Sequence, residues 1–278
     1  MKRFSLRKAQ NAAVDLLGLL IGCAVLFPLL YGVFGAFKSP AEFSAYPPTL
    51  LPGSFGYLDN FHRVFTQTPM LRYFLNSFLT SLLSALIRLM LAVLAAYAFA
   101  FFDFRGKSFL FFLLLGTMML PADTLTITNY QTVSRLGLLD SYLGIIIVSL
   151  VGASQMFMLR QHFLSSPLAV REAAQIDGCG DLKFLLGILL PMSMPLLLTL
   201  FLQAFIAQWN AYLWPLLVTN TDAMRTVQVG VTMLTTIEGT NYETILAGAA
   251  VTMVPGMLLF LLLRRSITRT MGGGAIVG

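Results

Sequence analysis

Hydrophobic residues along the chain are concentrated in long runs that are separated by polar stretches. A helix needs about 20 predominantly apolar residues to cross a bilayer, so runs of this length predict membrane spans. Six spans are predicted, at residues 14–37, 76–101, 108–128, 142–159, 184–207 and 245–263. The pattern indicates an all-α membrane protein with six transmembrane helices, in which residues 1–278 form a single transmembrane domain.

Two of the polar stretches are long enough to carry structure of their own. Residues 38–75 are rich in proline and are predicted to include a short surface helix at 56–66. Residues 208–243 mix aromatic and polar side chains and include Glu238 and Gly239. Within the third span, Pro121 is expected to produce a kink because proline breaks the helical hydrogen-bond pattern.

Composition supports a membrane location. Of the 278 residues, 57% are hydrophobic and 11% are charged, whereas a soluble domain has about 25% charged residues. The net charge of +6 is explained by Lys and Arg beside the spans, so no nucleic-acid partner is inferred. The first apolar run is longer than the core of a signal peptide and has no clear cleavage site, which predicts an uncleaved span.

The distribution of basic residues predicts the orientation of the spans. With the amino terminus inside, twelve Lys and Arg residues lie in cytoplasmic segments and five lie outside, while Arg88 lies within the second span. The positive-inside rule therefore predicts that both termini are cytoplasmic. The cytoplasmic group is Lys2, Arg3, Arg7, Lys8, Arg105, Lys107, Arg160, Arg171, Lys183, Arg264, Arg265 and Arg269, and the outer group is Lys38, Arg63, Arg72, Arg135 and Arg225.

The cytoplasmic stretch EAAQIDGCGDLKFLLGILLP, which begins at Glu172, reads as two short helices with a break between them. Ser166 is expected to cap the first helix, and Asp181 is expected to cap the second. Gly178 is expected to end the first helix in a left-handed conformation. Ala173 and Ala174 leave a small surface flanked by Glu172 and Asp177, which suits docking against another protein better than chemistry.

Several residues of this stretch match a known signature. Glu172-Ala173-Ala174, followed by Gly178 and then by Ile188, Leu190 and Pro191, resembles the EAA signature of ABC importer permeases. The resemblance implies that residues 166–183, called here the EAA segment, are a coupling helix that sits in a cleft on an ATPase subunit. Its implied coupling residues are Glu172, Ala173, Ala174, Asp177 and Gly178. The alternative is an ordinary helical hairpin between two spans.

Further motifs extend the resemblance over nearly the whole chain. Asn76-Ser77, Met119-Leu120-Pro121, Leu136-Gly137-Leu138 and the stretch from Trp209 to Pro215 are similar to carbohydrate-uptake permeases. More narrowly, the chain resembles the second permease subunit of maltose-type and glycerol-3-phosphate-type transporters, which implies the ABC type I importer permease fold. One departure is Ile127-Thr128-Asn129-Tyr130, where such permeases often carry a proline after the isoleucine.

The resemblance implies a complex and a task. A homologous second permease would form a heterodimer with this chain, two ATPase subunits would lie below, and an extracellular or periplasmic solute-binding protein would lie above. The chain lacks a GxxxxGK[ST] loop, so ATP and Mg²⁺ are assigned to the partner ATPase subunits and no cofactor is expected in this chain. Its implied function is non-catalytic import of a sugar or sugar-like solute, such as glycerol-3-phosphate or another glycerol phosphodiester, by alternating access in the bacterial cell membrane.

Candidates for the substrate pathway are polar or aromatic residues in the spans and beside them: Arg88, Asp123, Asn129, Trp209, Asn210 and Tyr212. Arg88 lies near the bilayer centre, where a cation costs at least about 2.5 kcal/mol. It is predicted either to pair with Asp123 or to attract an anionic substrate. The aromatic residues are either sugar-stacking groups or an interfacial belt.

Other interpretations stay open from the residues alone. The loop Thr219–Thr244 either reaches into the binding protein or is solvated, and the glycine-rich tail either enters the ATPase interface or is disordered. A permease of the same class for another polar solute is an alternative function. A secondary transporter needs buried acids along a path, and a membrane enzyme needs a nucleophile or metal cluster; neither pattern is evident.

Overall fold

The computed structural model describes the backbone of residues 2–237 and 241–272, and the side chains of residues 11, 13–121, 124–234 and 241–262. Within these residues every regular element is a helix. The α-helices are α1 (Lys2–Gly35), α2 (Pro40–Phe43), α3 (Asp59–Gln67), α4 (Met70–Phe101), α5 (Lys107–Thr117), α6 (Thr126–Arg135), α7 (Tyr142–Ile146), α8 (Ala153–Leu164), α9 (Leu168–Ile176), α10 (Asp181–Phe184), α11 (Leu190–Met192), α12 (Met194–Trp209), α13 (Leu213–Val218), α14 (Val227–Ile237) and α15 (Tyr242–Gly272).

Three helical stretches are by themselves long and apolar enough to cross a membrane: Ala13–Gly35, Met70–Phe101 and Tyr242–Leu262. The number of candidate spans rises to five if each of two bent pairs of helices counts as one span. They are Tyr142–Ser149 with Ala153–Leu164, which bend by 52°, and Asp181–Met192 with Met194–Trp209, which bend by 81°. In the third predicted span, α5 ends at Thr117, before Pro121, and a short 3-10 helix follows at Ala122–Leu125.

The two bends have local causes. In the first pair, a 3-10 helix at Ile147–Ser149 gives way to Gly152, whose φ of −132° and ψ of 90° are extended rather than helical. In the second pair, Ser193 separates α11 from α12 and its hydroxyl donates to the carbonyl oxygen of Leu189 at 2.7 Å. Pro195 lies in the first turn of α12, just after Met194, where a missing N–H leaves no hydrogen bond unmade.

The residues divide into two compact units. The first consists of the chain up to Met70 together with Val231–Val254. In this unit Asn60 of α3 donates from its amide nitrogen to the carbonyl oxygens of Ala36 at 2.9 Å and Lys38 at 2.8 Å. These bonds attach the short surface helix to the end of α1. The sequence predicted this helix at 56–66, and it lies at Asp59–Gln67.

The second unit consists of Leu71–Gly230 together with the chain from Pro255 onward, and its core is built around α4. The broken fourth span packs parallel to α4, as shown by contacts between Ser84 and Ser149 and, farther along both helices, between Phe101 and Phe163. In contrast, α12 packs antiparallel to α4, because Phe74 contacts Trp209 and Phe78 contacts Phe205. Helices α4 and α8 thus run in one direction and α12 runs in the other.

The prediction of a loop throughout Thr219–Thr244 is wrong for Val227–Ile237, which forms α14. Val227 and Val229 are fully buried there, so the apolar residues of this stretch pack in the core. Glu238 and Gly239 lie outside the described residues, as does the tail after Gly272.

Candidate functional site

The EAA segment folds as helix α9, a tight turn and the start of α10. Gly178 has a φ of +72°, as predicted from its role in ending the helix. The Gly178 amide donates to the carbonyl oxygen of Gln175 at 3.0 Å. The Cys179 amide donates to the carbonyl oxygen of Ala174 at 2.8 Å. This pair of bonds is the Schellman ending, which satisfies helical carbonyls through one left-handed residue.

Both predicted helix caps are wrong. The residue before α9 is Pro167, and no side chain caps this helix. The Ser166 hydroxyl instead donates to the carbonyl oxygen of Phe163 at 2.5 Å. Gly180 precedes α10, and Asp181 is the first helical residue. The carboxylate of Asp181 is used in a different contact, with α4.

That contact attaches the EAA segment to the last turns of α4. The Tyr97 hydroxyl donates to a carboxylate oxygen of Asp181 at 3.1 Å and lies 3.2 Å from its carbonyl oxygen. The guanidinium of Arg171 lies over the ring of Phe101, 4.6 Å from its centroid. Ala174 is buried in the same cluster. The inner face of α9 and the start of α10 are therefore fixed to one transmembrane helix.

The opposite face of α9 is open. Leu168, Glu172 and Ile176 follow one another at intervals of four residues, which places them along one helix face. Leu168 is 73% exposed and Ile176 is 86% exposed, and Glu172 lies exposed between them. Glu172 has no ion-pair partner within the part of the chain that the structure describes. An exposed apolar face with one free carboxylate at its centre is suited to docking on a basic partner surface.

A second feature is a row of polar contacts between α4 and the broken fourth span, called here the polar seam. It begins where the Tyr142 hydroxyl donates to the side-chain oxygen of Asn76 at 2.8 Å. It continues with Ser84 and Ser149, whose hydroxyl oxygens are 2.8 Å apart, and ends where Arg88 meets Gly152. Sequence reasoning singled out Arg88 alone, although the spacing of Ser77, Ser81, Ser84 and Arg88 places all four on one helix face.

The predicted pairing of Arg88 with Asp123 stays a prediction. Asp123 lies in the 3-10 helix Ala122–Leu125, but its side chain is outside the described residues. Among the described side chains, no carboxylate lies within 4.0 Å of Arg88. Its Nε is buried without a hydrogen-bond partner there.

The aromatic candidates divide into packed and accessible residues. Trp209 is 3% exposed and stacks on Phe205 at 6.0 Å, and the indole N–H of Trp214 donates to the carbonyl oxygen of Gly144 at 3.1 Å. Both tryptophans thus serve packing within this chain. Tyr212 is 42% exposed. Of the two candidate asparagines, Asn210 is exposed and accepts from Gln228 at 3.4 Å, and Asn129 is partly exposed on α6.

The segment between α13 and α14 is held by polar contacts that sequence reasoning did not identify. Asn76 donates from its amide nitrogen to the carbonyl oxygens of Ala223 and Arg225, each at 2.9 Å. Asp140 accepts from the backbone amides of Asn220 and Thr221 and from the Thr221 hydroxyl. Burial acts to raise the pKa of Asp140, but these hydrogen bonds outweigh it, and the pKa lies below its ordinary value.

In the described part of the chain, no cluster of His, Cys, Asp or Glu side chains could hold a metal ion. Arg160 and Arg171 both lie over aromatic rings, and Asp181 accepts a hydrogen bond from Tyr97. The arrangement therefore offers a docking surface and a polar seam within a helical bundle.

Relatives of known function match along nearly the whole chain. The arabinooligosaccharides transport system permease protein AraQ of Halalkalibacterium halodurans is 31% identical over 93% of this chain and 93% of its own length. The sn-glycerol-3-phosphate transport system permease protein UgpE of Escherichia coli is 32% identical over 90% of this chain and 92% of its own length. The Yersinia pestis protein of the same name is 31% identical over 88% of this chain and 90% of its own.

Solved structures share the fold. A chain from a bacterial ABC transporter that imports the acidic polysaccharide alginate superposes with a TM-score of 0.80 at 23% identity, covering 93% of this chain and 96% of the other. A second alginate transporter, in complex with a periplasmic protein bound to an alginate pentasaccharide, has a TM-score of 0.65 at 14% identity, with 96% of each chain covered. The predicted type I importer permease fold is confirmed.

The family profile described as "Binding-protein-dependent transport system inner membrane component" matches residues 17–272. This range includes all the predicted spans except the start of the first, together with the EAA segment. The match and the relatives both cover most of the chain. The chain therefore belongs to the family of inner membrane components of binding-protein-dependent transport systems.

Proposed function

We propose that this chain is one of two homologous permease subunits in an ATP-driven importer of a sugar or sugar-like solute. The observation that carries the proposal is the two-sided EAA segment, which exposes Glu172 on one face and is attached to α4 by the other. A segment built in this way can receive movement from a partner and pass it to a transmembrane helix. The relatives UgpE and AraQ, named for transport of glycerol-3-phosphate and arabinooligosaccharides, favour a solute of one of these kinds.

The partner on the cytoplasmic side is an ATPase dimer that binds ATP and Mg²⁺. Leu168 and Ile176 enter a cleft on one ATPase subunit, and the Glu172 carboxylate pairs with a cation there. Ala173 and Ala174 keep the helix narrow, Gly178 makes the turn that follows it, and Asp177 precedes this turn. ATP binding brings the ATPase subunits together, and α4 changes the membrane helices from inward-open to outward-open. A solute-binding protein then delivers the solute from outside.

This function is tested by reconstitution in proteoliposomes of the chain with its homologous permease, its ATPase subunits and its binding protein. Solute uptake that requires both ATP and the binding protein is expected. Uptake that follows a proton gradient without ATP would instead indicate a secondary transporter.

The topology in this proposal is six spans with both termini in the cytoplasm. The parallel packing of α4 with the fourth span supports it, because two parallel helices must be separated by an odd number of crossings. The antiparallel packing of α4 with α12 supports it as well. The third crossing comprises α5, the 3-10 helix Ala122–Leu125 and the residues between them.

Cysteine labelling tests this topology. With Cys23 and Cys179 replaced by serine, Ser54→Cys and Ala223→Cys are expected to react with a membrane-impermeant maleimide added outside, whereas Gln175→Cys should react only after permeabilisation. All three positions are exposed, so the side of the membrane decides reactivity. Labelling of Gln175→Cys in intact cells would contradict the assigned orientation.

The Tyr97 hydroxyl is proposed to transmit movement from the EAA segment to α4. Tyr97→Phe removes the hydrogen bonds to Asp181 but keeps the ring against Phe101. A hydrogen bond of this kind contributes about 1 kcal/mol, so the number of solute molecules moved per ATP hydrolysed should fall by about fivefold while assembly is retained.

The matched control is Tyr142→Phe, which removes a tyrosine hydrogen bond to Asn76 at the other end of α4. It should leave the ratio of transport to hydrolysis unchanged. An equal loss in both variants would mean that the Tyr97 contact serves stability rather than transmission.

The solute pathway is proposed to involve the remaining candidates, which are Arg88, Asp123, Asn129, Trp209, Asn210 and Tyr212. Tyr212 and Asn210 are exposed and near one another along the chain, so they are the better candidates for direct contact with a hydroxylated solute. Trp209 supports their position through its packing against Phe74 and Phe205.

A further inference from the structure

One face of α4 is polar deep into the membrane-spanning region. Ser77, Ser81 and Ser84 are each at most 2% exposed, and Arg88 continues the same face. Ser77 accepts from the amide of Val227 at 2.8 Å and Ser84 contacts Ser149, but the Ser81 hydroxyl has no partner in the described residues. Polar side chains inside a membrane are costly and tend to mark the path of a solute or ion.

Arg88 lies about 18 Å along the helix from Asn76, at about 1.5 Å per residue, and so reaches the middle of the membrane. It is partly buried, and its Nε is shielded without a hydrogen-bond partner among the described residues. No described carboxylate lies within ion-pair distance. A guanidinium, which cannot lose its charge in a protein, is thus held at mid-membrane without a counter-charge in this part of the chain.

The fourth span is broken at the same depth. Arg88 packs against Gly152, the residue that separates the 3-10 helix Ile147–Ser149 from α8. The first amides of α8 begin at this point, and no side chain caps them. The positive amino-terminal end of the α8 dipole and the guanidinium of Arg88 therefore lie next to each other at Gly152. An anion bound there would be attracted by both. Val151, Gly152 and Ala153 also line a neighbouring cavity of about 230 Å³, which is apolar and does not have Arg88 among its lining residues.

We propose that Arg88 binds an anionic group, a phosphate or a carboxylate, of the solute that this permease carries. The guanidinium fork matches the oxygen atoms of either group, and hydrogen bonds between charged groups are stronger than neutral ones. The Ser149 hydroxyl, which lies three residues before the break, is already bonded to Ser84 and to the carbonyl oxygen of Ile146, so the guanidinium is the group assigned to the anion. This inference rests on the proposed importer function and specifies its substrate class as anionic rather than neutral.

Gly152 is part of the site because it allows the guanidinium to approach the break. A Cβ atom added there would lie 2.5 Å from Nε and 3.1 Å from Nη2 of Arg88. The extended backbone at Gly152 accepts alanine without strain, so Gly152→Ala displaces the guanidinium and keeps its charge. This variant separates the position of the cation from its presence.

The experiment uses the full complex in proteoliposomes with its binding protein. Uptake of glycerol-3-phosphate and of an alginate oligosaccharide, both anionic, is compared with that of a neutral arabinooligosaccharide. Wild-type protein is expected to carry at least one anionic solute. Arg88→Gln should assemble normally and lower this uptake by about 10- to 100-fold at limiting solute, as for loss of a hydrogen bond to a charged group. Arg88→Lys should lower it less, and Gly152→Ala should lower it also.

The control is Arg135→Gln, which removes an exposed arginine at the end of α6 and should leave uptake unchanged. Full anionic uptake by Arg88→Gln would overturn the inference. Failure of Arg88→Gln to assemble with its partner subunits would also overturn the inference. So would recovery, in the double variant Arg88→Gln/Asp123→Asn, of expression lost in Arg88→Gln. Either result would indicate that Arg88 has a structural partner within the protein.

Failure of the inference is distinguishable from failure of the importer proposal. ATP-dependent uptake of the neutral arabinooligosaccharide alone would leave the importer function intact and overturn the anionic substrate class. ATP-independent uptake of an anionic solute that is still lost in Arg88→Gln would support the binding site while contradicting the ATP-driven mechanism.

Discussion

Glu172→Lys is expected to lower ATP-driven uptake by at least about 30-fold while the chain stays in the membrane at its normal level. The carboxylate is exposed at the centre of the open face of α9 and has no ion pair within the described chain, so its replacement leaves the fold intact. In the assembled complex it would face a cation, and disrupting a buried charged pair costs about 2–5 kcal/mol. Co-purification of the ATPase subunits and uptake by the reconstituted complex measure the effect.

Two further variants test whether the charge of Glu172 causes the expected loss of uptake. Glu172→Gln removes the charge without reversing it and should have a smaller effect than Glu172→Lys. Asp103→Lys reverses an exposed charge in the turn between α4 and α5 and should leave uptake unchanged. Among the described residues, Asp103 pairs only with Lys107, at 3.4 Å. Normal uptake by Glu172→Lys would contradict the docking role of α9.

Gly178→Val should lower uptake by at least about tenfold. With a φ of +72°, Gly178 occupies the left-handed region, which costs an L-residue about 1–2 kcal/mol and a β-branched residue more. No atom lies within 4 Å of an added Cβ, so the effect is conformational rather than steric. The Schellman ending would be lost, and Glu172 would change its direction relative to α4. Uptake and ATP hydrolysis by the reconstituted complex measure the loss.

The chain provides a matched control two residues away. Gly180 also has open space around an added Cβ, but its φ of −69° and ψ of 161° suit any residue. Gly180→Val should therefore behave as wild type, and Gly178→Asn, which tolerates the left-handed region, should retain most activity. If Gly180→Val fails as severely as Gly178→Val, the turn conformation is not the cause.

The membrane character, the helical class and the ending of α9 at Gly178 were predictable from sequence because each depends on local chemistry. Long apolar runs require a bilayer, and one glycine at the end of a helical pattern marks a left-handed turn. The caps at Ser166 and Asp181 were not predicted correctly, because both side chains have competing partners. The Ser166 hydroxyl bonds backwards to Phe163, and Asp181 accepts from Tyr97, which is distant in sequence.

The two bent helix pairs also could not be predicted from local sequence. Apolar runs at 142–159 and 184–207 predict crossings, but hydropathy carries no information about bends of 52° and 81° inside them. The stretch Val227–Ile237 was assigned to a loop because polar residues surround it, yet Val227 and Val229 are buried and form part of α14. Trp209 was a candidate for sugar stacking, and packing places it against Phe74 and Phe205.

The sequence by itself determined where the chain is apolar, that α9 ends at Gly178 and which residues carry the EAA signature, since these properties depend on neighbours within a few residues. Only the tertiary structure decided that Tyr97 meets Asp181, that Asn76 contacts both Tyr142 and the backbone at Ala223, and that Arg88 lies against Gly152. These contacts join residues from 64 to 147 positions apart. Their formation depends on how whole helices pack, because a polar group inside a membrane must find its partner on another helix.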